Sequence, residues 1–338
     1  MLRAGWISVA LLAGAALAGA PARADHDGGP PSGFTAYWTV PGFGDTPVLG
    51  PEKAKGVVFW SHGLSGQRPQ YHGHPPEIVR AIARQGWDVV KIQRNPLFEN
   101  TWVNSGLKHV HDLVARAAEA RRQGYKRVIA AGQSYGGAIS IEAAGRTGDI
   151  YAVLAFAPGH GSDAATGGTA RVFDNLTRQL ISALGDMRAP RTVLLLAGGD
   201  DLHPYEIRGP KVRPVLAGLG QAFVFFDENS PIKGHSAVST NQFLAWYGRC
   251  VLDFVDPDRA PAPGETTCRP PQQVPKFFLP ADLKIVPPAG VAPDLARYSG
   301  AWEGLFPSDG NREVRIIVER VEATRLGIVY AVGAGPAS

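Results

Sequence analysis

Cysteine is scarce in this chain of 338 residues: Cys250 and Cys268 are the only two. Two thiols cannot build a Cys-rich zinc centre. Tyr71-His72-Gly73-His74 invites a metal reading, but no H-E-x-x-H or comparable third-ligand pattern accompanies it. No GxGxxG follows a first strand and no GxxxxGK[ST] occurs, so nucleotide sites are unsupported. The expectation is a protein with no metal and no cofactor. Charge of one sign is also scarce, the formal net charge being +4. So small an excess argues for neither nucleic acid nor an anionic membrane as partner. Beyond the first two dozen residues no apolar run approaches the roughly 18 residues of a membrane span. Hydrophobic residues make up 44% and charged residues 19%, which fits a globular chain and excludes disorder or fibre.

What long apolar run there is lies at the start. Arg3 precedes Trp6 to about Ala20, and Ala22-Arg23-Ala24 offers a small-x-small cleavage site. Residues 1–24 therefore read as a secretory signal and the protein as exported, periplasmic or secreted. Gly14 and Gly19 break the run, which makes it a poor span, and no stable membrane insertion is expected after cleavage. Removal of Arg3 and Arg23 leaves a formal charge of +2. Export favours a disulfide between Cys250 and Cys268, 18 positions apart.

The middle of the chain alternates strand and helix. Near-continuous apolar runs at Gly56–Trp60, Trp87–Ile92, Val128–Ala131, Tyr151–Phe156, Thr192–Ala197 and Ala222–Phe226 suit strands buried on both faces. Between them, Ile78–Gln85, Asn104–Gln123, Ala138–Ala144, Val172–Leu184, Val212–Leu219 and Asn241–Phe254 read as helices. This predicts a doubly wound α/β domain with a mostly parallel sheet, over residues 25–255. Residues 256–295 are rich in proline and read as a linker or surface wrap. Residues 296–338 suggest a small β-rich appendage of two or three strands, with turns at Ser308-Asp309-Gly310 and near Thr324. It is too short for an independent core.

The strongest local signal is Gly132-Gln133-Ser134-Tyr135-Gly136-Gly137. It matches G-x-S-x-G between a strand and a helix, where a sharp turn holds the serine at its tip. Side chains two before and two after Ser134 would collide, so both positions are glycine. These residues resemble the α/β-hydrolase family, and the dienelactone-hydrolase-like and small carboxylesterase-like members most. The resemblance covers about residues 50–255. It implies a doubly wound fold and a nucleophile, acid, histidine order along the chain.

Carried onto this chain, the resemblance makes Ser134 the nucleophile and His235, in Lys233-Gly234-His235-Ser236, the base. The acid follows the Thr192–Ala197 strand, where Asp200 and Asp201 are adjacent. The family's spacing, three residues after the first glycine of Gly198-Gly199, favours Asp201, with Asp200 as the alternative. The oxyanion would be held by the backbone N–H groups of Tyr135 and of Leu64, in Ser61-His62-Gly63-Leu64. His109 and His111 read as surface or capping residues of a long helix.

The expected reaction is hydrolysis of an ester or related acyl bond through an acyl-enzyme. Dienelactone hydrolases proper use cysteine, and haloalkane and epoxide hydrolases use a carboxylate. Ser134 departs from both, so those substrates are not implied. The stretch Pro158–Pro190 leaves no room for a large helical lid, which points to an open site bordered by residues 159–168 and a small soluble substrate. An acyltransferase with the same triad and a non-catalytic binding module are the other readings.

Overall fold

The computed structural model describes residues 37–64, 74–94, 106–160, 170–270, 279, 282–306 and 312–332. The signal segment, His72, most of the loop 159–168 and the Ser308-Asp309-Gly310 turn lie outside these. The main sheet has eight strands. They are β1 (Tyr37–Pro41), β2 (Val57–Ser61), β3 (Asp88–Arg94), β4 (Val128–Gln133), β5 (Ala152–Phe156), β6 (Arg191–Leu195), β7 (Ala222–Phe226) and β8 (Gly264–Glu265). Their order is β1-β3-β2-β4-β5-β6-β7-β8. Only β1 runs antiparallel to its neighbour; the other pairings are parallel. Fold class is as the alternation predicts.

The strands are buried because both faces are covered. All five residues of β2, β5, β6 and β7 are buried. Residues 57, 59, 128, 130, 153 and 155 face one apolar cluster. It is closed by α2 (Leu107–Arg122), α3 (Tyr135–Arg146), α4 (Ala170–Gly185) and α5 (Tyr205–Gly218). The alternate residues 58, 60, 129, 131, 154 and 156 face a second cluster, closed by α1 (Glu77–Arg84) and α6 (Asn241–Val255). The period of two along each strand thus feeds two cores. Each fully buried Leu, Val or Phe contributes about 1.5–3 kcal/mol.

α5 differs from expectation. It begins at Tyr205, seven residues before the predicted start, and carries Pro210 and Pro214 inside it. Proline is the strongest helix breaker, and Pro210 stands just ahead of the predicted start, hiding the first turns. Strands β1 and β8 were also not anticipated. β8 lies inside the proline-rich stretch, which is thereby part of the sheet: Gly264 and Glu265 pair with Ala222 and Phe223.

The Cys250–Cys268 disulfide forms nearby, with Cα atoms 5.8 Å apart. Buried Arg191 holds the same region by donating to the carbonyls of Phe254, Asp256 and Arg259 at 2.7–2.9 Å. Further on, a short helix α7 (Pro293–Ala296) precedes an antiparallel sheet of β9 (Gly300–Phe306), β10 (Arg312–Val321) and β11 (Leu326–Val332), with β10 central. The expected turn near Thr324 is present, Glu322 N donating to Arg325 O at 2.9 Å. Among the described residues no helix is long and apolar enough to cross a membrane.

The parallel register aligns the strand ends that matter. Ser61 lies opposite Gly132, Gln133 opposite Phe156, Phe156 opposite Leu195, and Leu195 opposite Phe226. The chain leaves β2 toward β3 on one side and leaves β4 toward β5 on the other, so a topological switch point falls between β2 and β4. Crevices at such points are where open α/β sheets bind ligands.

The disulfide ties α6 to the chain just after β8. Replacing both cysteines by alanine should lower unfolding free energy by about 3 kcal/mol through loop entropy. Urea unfolding of the two proteins checks this.

Candidate active site

Ser134 stands between β4 and α3 with φ 55° and ψ −121°, a left-handed conformation that a side chain rarely adopts. Such a residue costs on the order of 1–3 kcal/mol and persists only where its surroundings over-determine it. Here they do. Ser134 N donates to Phe156 O at 2.8 Å, and Ser134 O accepts from Ala138 N and Gly159 N, each at 3.1 Å. The flanking glycines are required by contact. A Cβ on Gly132 would lie 2.3 Å from the Gly136 carbonyl carbon, and one on Gly136 would lie 2.0 Å from Ser61 O. The start of α3 therefore presses directly on the backbone at the end of β2.

The Phe156–Gly159 segment braces the turn from the other side. Ala157 is the second non-glycine residue with positive φ among the described residues, at 46°. Its N–H donates to Leu195 O at 2.8 Å. Fully buried Arg208 of α5 donates to Pro158 O, next to the Gly159 N–H that reaches Ser134. Burial brings the Arg208 pKa down to about 10.

The acid and histidine loops meet beside the elbow. His235 Nδ1 lies 2.9 Å from Asp200 Oδ2. The other oxygen of Asp200 accepts the N–H groups of Leu202 and His203, both at 3.0 Å. Asp200 is 4% exposed. Burial alone would raise its pKa, but the bond to His235, together with neighbouring donors, brings it below the ordinary value. The loops are tied to each other by Gly234 N donating to Gly198 O at 2.9 Å, and to the elbow by Gln133 Nε2 donating to His235 O at 3.1 Å. Gly199 (φ 69°) and Gly234 (φ 85°) both require glycine. Thr240 then caps α6, its hydroxyl accepting from Phe243 N at 3.2 Å.

Of the two adjacent carboxylates, Asp200 and not the expected Asp201 meets His235, and Asp201 is exposed. Ser134, His235 and the backbones of Leu64 and Tyr135 follow the C-terminal ends of β4, β7 and β2, as expected from their positions. With its Nδ1–H donated to a carboxylate, an imidazole presents Nε2 as a base.

Several buried polar groups escaped the sequence reading. His109 is not a surface residue: it is 3% exposed, with Nδ1 3.1 Å from Tyr135 Oη. His203 is buried with its ring 5.4 Å from that of His235. His62 is buried, and burial holds its pKa well below 6.5. Arg94, wholly buried, reaches the Ser61–Gly63 backbone. His74 stacks on Phe43.

No family model matches this sequence, and no curated protein matches it. Solved structures do resemble it in shape. A puromycin-hydrolysing peptidase of Mycobacterium tuberculosis has a TM-score of 0.47 at 14% identity, over 68% of this chain and 39% of that one. An esterase of Pyrococcus furiosus has a TM-score of 0.45 at 16% identity, over 61% and 84%. Est1E from Butyrivibrio proteoclasticus, solved with ferulic acid, has 0.42 at 14% identity, over 65% and 91%. This chain thus spans less than half of the first. What decides the fold is the chain's own sheet order with the strained serine after β4. It is an α/β-hydrolase fold. Within it, Asp200 follows β6 and His235 follows β7.

Burial sets a pH dependence for the whole α/β-hydrolase domain. Burial foremost, then the charges of Arg94 and Arg208 respectively, lower His109 and His203 from 6.5 to about 3. Below pH 6.5 the unfolded chain takes up protons that these rings refuse in the folded state. Stability is therefore full above that pH and falls as pH drops toward 3, by up to about 1.4 kcal/mol per pH unit for each ring. Urea unfolding between pH 7.5 and 4.5 should show this loss, and His109→Gln or His203→Asn should flatten it.

Proposed function

We propose that this protein is an exported serine hydrolase that cleaves an ester or related acyl bond of a small soluble substrate. The observation that carries the reading is the strained Ser134 beside an Asp200–His235 pair, on loops bound to one another. Strain at a serine that costs stability is explained by a role that needs its hydroxyl exposed at a helix start.

In this mechanism His235 removes the Ser134 proton as Oγ attacks the acyl carbon. Asp200 holds the imidazole tautomer and stabilises the imidazolium. The N–H groups of Tyr135 and Leu64 take the developing oxyanion, each contributing about a hundred- to thousandfold in rate. His235 returns the proton to the leaving group, and water activated by the same ring releases the acid. Export is supported by the signal-like residues 1–24 and by the Cys250–Cys268 disulfide.

Kinetics on p-nitrophenyl acetate, butyrate and octanoate test this. Ser134→Ala should lower kcat by about a millionfold. Asp200→Asn should lose about ten-thousandfold by leaving the wrong tautomer, while Asp201→Asn stays near wild type. Equal activity in wild type and Ser134→Ala would overturn the mechanism, and a dead Asp201→Asn beside an active Asp200→Asn would overturn the acid. Wild-type turnover of long-chain triglyceride droplets with none of dissolved short esters would overturn the substrate class.

A further inference from the structure

Arg94 closes β3 with its side chain completely buried. Placing a guanidinium in a protein interior is costly, so its contacts should account for it. One amino group donates to His62 O at 2.7 Å and to Gly63 O at 3.0 Å, and lies 2.9 Å from His62 Nδ1. The other lies 3.4 Å from Ser61 Oγ. The cation also sits 5.1 Å from the centre of the Tyr135 ring. On its far side Tyr135 is held by His109, through its hydroxyl at 3.1 Å and an edge-on ring contact.

These contacts fall on both arms of the oxyanion site. A trans peptide is planar, with its C=O and N–H pointing in opposite directions. Gly63 O and Leu64 N–H belong to one such plane. A donor that grips Gly63 O therefore fixes the aim of Leu64 N–H on the opposite side. His62 Nδ1 lies 2.7 Å from the same oxygen, so Arg94 and the His62 ring that it touches together hold a peptide that glycine at 63 would leave free to rotate. The ring above the same guanidinium belongs to Tyr135, whose N–H is the second donor. Gly136 against Ser61 O and His62 O brings the two arms into contact.

We propose that Arg94 is a positioning residue that pre-forms the oxyanion hole by locking the Gly63–Leu64 peptide and seating Tyr135. This rests on the serine-hydrolase reading above. It acts through the orientation of donors that matter in the transition state, so it affects kcat and leaves KM alone.

The test compares wild type with Arg94→Ala and Arg94→Lys in three readouts. They are ester kinetics, affinity for a trifluoromethyl ketone that forms a tetrahedral adduct, and rescue by added guanidinium. The expected result is a fall in kcat of about 10- to 1000-fold, bounded by the worth of one donor. KM should stay within about twofold, ketone affinity should fall in parallel with kcat, and guanidinium should restore part of the alanine variant's rate. The lysine variant keeps the buried charge and one donor, and should fall in between; it carries the test if alanine prevents folding. A folded variant with wild-type kcat, or one that loses kcat with ketone affinity unchanged, overturns the assignment. Labelling of wild-type Ser134 by a fluorophosphonate separates the two levels. Failure to label sinks the serine-hydrolase reading itself, whereas labelled wild type with unaffected Arg94 variants sinks only this inference.

Discussion

The contact of the α3 N-terminus with the end of β2 is the constraint from which the rest of the site follows. No atom fits where a Cβ of Gly136 would stand, against Ser61 O and His62 O. That approach forces the chain to turn within one residue, and Ser134 takes the left-handed backbone that results. It also sets the helix start beside the Leu64 loop. Strain at the serine and proximity of the two backbone arms are one feature of the packing. The opposing turn at Ala157, with the bond from Gly159 N to Ser134 O, keeps the elbow from relaxing.

Electrostatics divide the surroundings of this turn into two kinds of group. Asp200 is buried yet richly hydrogen-bonded, so it is held ionised next to His235. His62, His109 and His203 are buried beside cationic side chains, so they are held neutral. Arg94 and Arg208 each grip a backbone carbonyl in a loop that borders Ser134. Interior charge is thus spent on loop geometry, which a hydrophobic side chain of equal size could not supply.

Much of this was legible in the sequence. The β4–Ser134–α3 turn could be read because glycine at 132 and 136 is a steric requirement with a fixed spacing. The inner strands could be read because burial on both faces leaves an unbroken apolar run. The family resemblance led to the loops after β6 and β7, which the structure brings together at Asp200 and His235, but which of the two adjacent carboxylates meets His235 was not legible. The first turns of helix α5 are concealed by Pro210, and β8 is too short to carry any periodicity. Arg94, His109, Arg208 and His203 meet partners distant in sequence. Arg94 did leave a trace: Asp88, Lys91, Gln93 and Arg94 interrupt an otherwise apolar strand, and a buried strand does not carry such residues without partners.

The central claim is that Ser134 becomes acylated, and trapping the intermediate tests it most directly. The protein mixed with excess p-nitrophenyl acetate and quenched in acid within milliseconds would be digested and analysed by mass spectrometry. The account predicts an acetyl group on the peptide containing Ser134, absent from Ser134→Ala and accumulating in His235→Gln only far more slowly. Turnover of the ester with no acetyl group on that peptide, or with the group on a different serine, would contradict it.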